Sequence, residues 1–228
     1  MKRMGLIVAL FLVIFSTLFV VGCRPELPLS DLPTLNNDLA NGKLTIDKVV
    51  PGEDFSFVRE YSTSYDAKSW RITDSKNLMM RAWVRGAPRG MIVLVEHMHS
   101  DVSLKSRYEG LDGWPQDSMD DSVHGGDQPG FWVTESYPYE NVFAIEGFSQ
   151  SLIEGWGYWG TGYIGSYRLT ETNVVQYGKV YGNKIQVVYD LLIKRADEQY
   201  FHTGSVIDEF LVPTGVQPDT NKPAIKNR

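Results

Sequence analysis

The sequence predicts a mainly β protein, an antiparallel sandwich or barrel-like domain of about eight to ten strands. Three observations predict it. Apolar residues recur with period two over most of the chain, the signature of strands with one face buried. Aromatic residues make up 12% of the sequence, and large rings suit a pleated, half-buried surface better than a helix. The 21 glycines and 11 prolines interrupt the apolar runs where tight turns would fall.

The strand pattern defines a single β-rich domain over residues 44–212. Leu44, Ile46, Lys48 and Val50 alternate with Thr45, Asp47 and Val49. Phe55, Phe57 and Tyr61 alternate with Ser56 and Glu60. Trp70 and Ile72 precede the turn sequence Thr73-Asp74-Ser75-Lys76. Leu78, Met80, Ala82 and Val84 then line one face, with Arg81, Trp83 and Arg85 on the other. Gly86 to Gly90 reads as a hairpin turn into Met91–Val95, a continuous apolar run expected to be a doubly buried central strand. Residues 100–130 break the alternation and read as a long acidic loop. Strands resume with Phe131–Tyr137 and Val142–Phe148, joined across Pro138–Asn141, and Gly155–Leu169 reads as a Gly/aromatic strand or strand pair. Ile185, Val187, Tyr189, Leu191 and Ile193 predict a strand, although Ile185, Val188, Tyr189 and Leu192 also fit a helix. Tyr200–Val212 closes the domain.

The flanks differ from this core. A basic head, Met1-Lys2-Arg3-Met4, leads into an uncharged apolar stretch, Gly5 to Val21, and then Val20-Val21-Gly22-Cys23, which holds the single cysteine of the chain. This order resembles the bacterial lipoprotein signal and its lipobox. The resemblance implies a signal peptide over 1–22, lipidation of Cys23, and a membrane-attached protein exposed outside the cytoplasm, on the cell membrane or an outer membrane. The alternative is an uncleaved membrane helix, for which the apolar stretch sits at the short limit. Residues 23–43, with Pro25, Pro28 and Pro33, then read as a stalk with one helical turn near Leu35–Leu39. Residues 213–228 read as a flexible tail. Lys2 and Arg3 lie in the leader, which leaves 20 basic against 28 acidic residues and a net charge of −8. That balance argues against nucleic acid as a partner. With no second cysteine, burial alone must stabilise the domain.

Several residues suggest chemistry. His97 and His99 are two apart, so on a strand both project from one face. With His124 or a carboxylate they would form the alternative metal site. A cupin-like pattern would need Glu where Ser103 or Leu104 stands, and a metallo-β-lactamase-like pattern would need His in place of Val102. No metal and no other cofactor is therefore expected. Asp112, Asp117, Asp120 and Asp121 lack EF-hand spacing and read as a solvated acidic loop. The stretch from Asp74 through Ala87–Val95 to Arg107-Tyr108-Glu109-Gly110-Leu111 resembles the start of lysophospholipase-type α/β-hydrolases. Gly147-Phe148-Ser149-Gln150-Ser151 stands where that family carries its nucleophile elbow. By that resemblance Ser149 would be the nucleophile, His202 the base, and Asp190 or Asp197 the acid. Finally, Trp156, Tyr158, Trp159 and Tyr163 are interleaved with glycines that uncover ring faces for a ligand to stack on. The expected function is a membrane-anchored, non-catalytic envelope lipoprotein that binds a carbohydrate or an envelope protein, with a hydrolase or metal-dependent enzyme as the alternative.

Overall fold

The computed structural model describes residues 31–37, 41–64, 66, 70–107, 112–113, 115–122, 130–145, 147, 163–164, 167–168, 174–175 and 178–215. Met1–Leu32 and Pro33–Arg228 are distinct units. The signal peptide and Cys23 lie outside the described residues, and the fold below is that of the second unit. Its strands are β1 (Lys43–Val49), β2 (Ser56–Ser62), β3 (Lys76–Arg85), β4 (Ile92–Ser106), β5 (Pro115–Ser122), β6 (Phe131–Trp132), β7 (Tyr139–Ile145), β8 (Tyr163–Ile164), β9 (Tyr167–Arg168), β10 (Val180–Lys194) and β11 (His202–Pro213). Among the described residues no helix is long and apolar enough to cross a membrane.

Period-two burial builds two antiparallel sheets. In β3 every second residue from Lys76 to Val84 is buried and the alternate ones face out, as the pattern Leu78, Met80, Ala82, Val84 predicts. β2 turns Phe57, Arg59 and Tyr61 to the same side. β1 and β7 flank them in the order β1-β2-β3-β7. The second sheet runs β11-β10-β4-β5, with β6 also paired to β4, while β8 and β9 form a separate ladder. The inner faces meet in one hydrophobic cluster. Phe57 packs edge-on against Tyr189 with ring centroids 5.4 Å apart, and Tyr61 tilts onto Phe210 at 4.5 Å. Each such buried ring stabilises the sandwich by about 1.5–3 kcal/mol. Of the two architectures predicted, the chain forms the sandwich.

Several sequence expectations are corrected by this topology. Gly86–Gly90 is not a hairpin turn, because β3 and β4 belong to different sheets; alternation reports which face is buried and says nothing of which strand is the neighbour. Most of the described residues in the expected loop over 100–130 are strand. β4 continues to Ser106 and β5 covers Pro115–Ser122, hidden because Ser100 and Ser106 take inward positions that an apolar count skips. Asp112 is no solvated loop acid: its carboxylate accepts hydrogen bonds from Lys105 Nζ at 3.1 Å and from the Ser106 amide at 3.0 Å. β6 is only two residues long and β7 begins at Tyr139, in the other sheet. β10 is a strand throughout, not the helix that Val188 and Leu192 also fitted. The described residues show antiparallel sheets rather than the alternation of strands and helices that the lysophospholipase-type resemblance implies.

The ends of the domain also extend beyond 44–212. Thr34 bridges Leu211 in parallel, and Leu35, in a 3-10 turn over Leu35–Asn37, is fully buried. Residues 33–37 of the expected stalk thus cap the edge of the second sheet. At the other end the Thr214 amide bonds to Tyr181 O and the Gly215 amide to Trp70 O; residues 216–228 of the expected tail lie outside the described residues.

Candidate functional site

Charged residues at inward strand positions are the first place to look for chemistry. Arg59 of β2 and Asp208 of β11 face each other across the sandwich, and both are 0% exposed. Arg59 donates Nε–H to Asp208 Oδ2 at 2.8 Å, and Nη2 makes a second bond to Oδ1. The Tyr61 hydroxyl donates to Oδ2 at 2.6 Å and lies 3.4 Å from the Tyr189 hydroxyl. Nη1 bonds to Phe57 O. Burial opposes the charge on Arg59, but the hydrogen bond and attraction of Asp208 outweigh it and raise its pKa. Burial above all pushes both phenols up, Tyr61 well above its usual range. Every member has a partner and none meets solvent, so the cluster fixes the register of one sheet on the other rather than receiving a ligand.

The histidines owe their direction to a bulge. Between Val95, opposite Leu191, and His97, opposite Asp190, the pairing of β4 with β10 gains a residue on β4, Glu96. A bulge reverses the alternation downstream of it. Val93 and Val95 are buried before it, and Met98, Ser100 and Val102 after it, so His97 and His99 face outward together. That bears out the expectation that they share a face. His97 Nδ1 lies 3.4 Å from Asp190 Oδ2, and His99 Nε2 lies 3.0 Å from Asp101 Oδ2. Gly130 lies against this bulge with φ +100°, and a Cβ there would sit 2.7 Å from Val95 O.

His202 stands elsewhere, at the start of β11. Its Nε2 is 2.8 Å from Glu53 Oε1 and its Nδ1 3.3 Å from Glu198 Oε2. Arg195 ties the same Glu53 at 2.6 Å and Asp54 at 3.1 Å, joining the β10–β11 turn to the β1–β2 turn. Asp190, one of the two acids suggested for His202, partners His97 instead. Ser149 and His124 lie outside the described residues, as do Trp156, Tyr158 and Trp159; Tyr163 is described only in its backbone, pairing with Arg168.

The exposed aromatic side chains among the described residues are ones the sequence reading left in strands. β6 pairs Trp132 with Leu94, and the Val133 amide bonds to Val93 O. Leu94 in turn pairs with Leu192, two residues before the end of β10. Trp132 and Tyr200 are thus carried by segments toward one end of these strands, and Trp132, Tyr137 and Tyr200 are 58%, 70% and 81% exposed. Between the sheets at that end lies a cleft of about 270 Å³, lined by Pro88, Met91, Val93, Trp132, Thr134 and Glu135 among others. Toward the opposite end of β11, Pro33 O accepts from the Leu211 amide. A shallower groove of about 530 Å³ crosses the outer face of the first sheet between Met79, Arg81, Glu140 and Val142, but its charges are matched: Arg81 pairs with Glu140 at 3.2 Å and Lys43 with Glu60 at 2.5 Å.

No family model matches this chain, and no curated protein does. A solved structure described as a crystal structure of a protein from Archaeoglobus fulgidus aligns with 74% of this chain and 94% of its own, at 15% identity and a TM-score of 0.27. A likeness that slight carries no argument about fold or function.

Sequence reasoning could have found the buried ion pair. The phase of Phe57 and Tyr61 places position 59 inward, and the phase of Val206, Phe210 and Val212 places position 208 inward. Opposite charges at two inward positions are the signal. The exposed rings at 132, 137 and 200 carried no such signal, because whether an aromatic at a strand end is covered depends on tertiary packing.

Proposed function

We propose that this chain is a lipid-anchored lipoprotein of a bacterial envelope whose sandwich is a non-catalytic module for binding a carbohydrate or an envelope protein. The observation that carries the binding is exposed aromatic surface: Trp132, Tyr137 and Tyr200 are all exposed, and Trp132 lines a cleft. Large rings covered by a ligand bury some 150–250 Å² each, and exposed apolar surface at a cleft marks an interaction site. A sugar would lay its C–H face on Trp132 and offer its hydroxyls to Thr134 and Glu135. The anchor is supported by Val20-Val21-Gly22-Cys23, since several acyl chains give stable attachment without help from surface charge.

The test has a part for each half. Wild-type and Cys23→Ser chains are expressed with labelled palmitate and fractionated; label and membrane association are expected in the wild type alone. Purified protein is then titrated with envelope polysaccharide fragments and with solubilised envelope proteins. The indole N–H resonance that Trp132→Ala removes should shift on binding. An unlabelled wild type would overturn the anchor, and a Trp132 resonance unmoved by any of these ligands would overturn the binding.

A further inference from the structure

We infer that the ligand of this module is an amino sugar with a free ammonium group, its ring stacked on Trp132 and its ammonium paired with Glu135. The inference rests on the carbohydrate reading above and narrows it: the group that meets Glu135 is a cation rather than a hydroxyl.

The chemistry of one cleft carries the argument. Trp132 and Glu135 line the same hollow of about 270 Å³, with Pro88, Met91 and Val93 among its apolar walls. That volume lies just below the roughly 300–1,000 Å³ of most small-molecule sites, and it suits one sugar ring rather than a length of polymer. Among the described residues that line it, Glu135 is the single charged one and Trp132 the single aromatic. Glu135 is exposed, and among the described residues no cation pairs with it. Arg85 goes to Asp47, and Lys194 lies over the Phe201 ring at 5.8 Å. The backbone that carries both residues is fixed. The Val133 amide donates to Val93 O at 2.9 Å, which holds the segment on β4. The Thr134 amide donates to Tyr137 O at 3.1 Å and the Tyr137 amide to Thr134 O at 3.2 Å, closing a turn that presents Glu135. The Tyr137 amide also reaches Thr134 Oγ1 at 3.0 Å. A site held this way loses little freedom on binding. An indole face accepts the C–H face of a sugar and attracts a cation, while a carboxylate makes its strongest hydrogen bonds to charged donors. An amino sugar satisfies both groups at once; a neutral sugar leaves the carboxylate to water. A lysine arm from a protein fits less well, because aromatic cages enclose such an ammonium with several rings and this cleft has one. The formal net charge of −6 also favours the approach of a cation.

The full chain, purified in detergent, is titrated with the methyl glycosides of glucosamine, N-acetylglucosamine and glucose while the Trp132 indole N–H resonance is followed. The titrations are run at about pH 6, where such an amine is protonated. The glucosamine glycoside is expected to bind about 5–10-fold more tightly than the other two, the effect of one charged hydrogen bond partly open to solvent. Glu135→Gln should remove that preference and leave the three sugars alike. Glu140→Gln, whose carboxylate pairs with Arg81 on the outer face of the first sheet, should keep it. Circular dichroism of each variant establishes that it is folded. Nα-acetyl-lysine methylamide is titrated alongside as the protein-like ammonium. Equal binding of the three glycosides by the wild type, or a preference that survives Glu135→Gln, overturns the ammonium contact and leaves carbohydrate binding standing. Tighter binding of the lysine derivative than of the glucosamine glycoside overturns the sugar as occupant. A Trp132 resonance unmoved by all three glycosides overturns the inference, and the polysaccharide and envelope-protein titrations described above then decide the binding reading separately.

Discussion

Removing the Asp208 side chain tests a fully buried charge pair. In Asp208→Ala the Arg59 guanidinium keeps its charge, still 0% exposed in the wild-type packing, and loses two bonds to carboxylate oxygens. Breaking one half of a buried pair costs about 3–5 kcal/mol, because the remaining charge is uncompensated. The Tyr61 hydroxyl loses its acceptor at 2.6 Å. A stranded buried hydroxyl adds about 1–3 kcal/mol, reduced here because the Tyr189 hydroxyl is 3.4 Å away and can accept instead. The expected loss is about 4–6 kcal/mol, a large share of the 5–15 kcal/mol typical of a domain. The double variant Arg59→Met/Asp208→Leu removes both charges and fills the space with apolar atoms. It should lie within about 2 kcal/mol of the wild type, because such replacements are often neutral or stabilising. Urea unfolding followed by tryptophan fluorescence and far-ultraviolet circular dichroism measures both. A single variant that loses less than about 1 kcal/mol, or a double variant no more stable than the single, would refute the account of this pair as a buried charge lock.

The same cluster predicts alkaline sensitivity. Burial, first of all, raises the folded-state pKa of Tyr61 and Tyr189, so their contribution is intact below the unfolded phenol value near 10 and is lost as pH rises through the folded values. The urea midpoint should fall above about pH 10, by less in Tyr61→Phe and Tyr189→Phe; a flat profile to pH 11 in the wild type would contradict it. Gly130→Ala should destabilise by about 1–3 kcal/mol, since its Cβ would meet Val95 O at 2.7 Å on a backbone with φ +100°. Thermal unfolding beside Gly52→Ala, also at positive φ but with nothing within 4 Å, separates crowding from backbone strain, and equal losses in the two would leave no role for the bulge contact.

How much of this was legible in the sequence depends on what alternation can report. It gave the faces of β3 correctly, because Leu78, Met80, Ala82 and Val84 are all apolar and all buried. It missed the last part of β4, because Ser100 and Ser106 occupy inward positions while polar Asp101 and Ser103 occupy outward ones. It assigned strand partners wrongly at Gly86–Gly90, since a turn between two sheets and a turn within one are written in the same residues, and it read Pro138–Asn141 as a connection where β7 already runs from Tyr139. The shared face of His97 and His99 followed from spacing alone. That this face is the outer one did not, because it depends on a single bulged residue that only the pairing with β10 reveals. The aromatics marked for binding, Trp156, Tyr158 and Trp159, lie outside the described residues, and Tyr163 is described only in its backbone; Trp132, Tyr137 and Tyr200 were not singled out, because their exposure is a property of where strands end.

The strand order of the second sheet has a consequence for how the chain reaches its native state. β4 is fifteen residues long and central, yet its neighbour β10 lies more than seventy residues further along the chain. Contacts this distant in sequence make for slow folding, on the scale of milliseconds to seconds. Until residues 180–194 arrive, β4 can pair with β5 and β6 alone and presents an open edge that includes Val93, Leu94 and Val95. An unpaired apolar edge of that kind is a template for misassembly. The interval between synthesis of β4 and of β10 is therefore when this protein most needs a chaperone, and a chain truncated before Val180 should aggregate rather than fold.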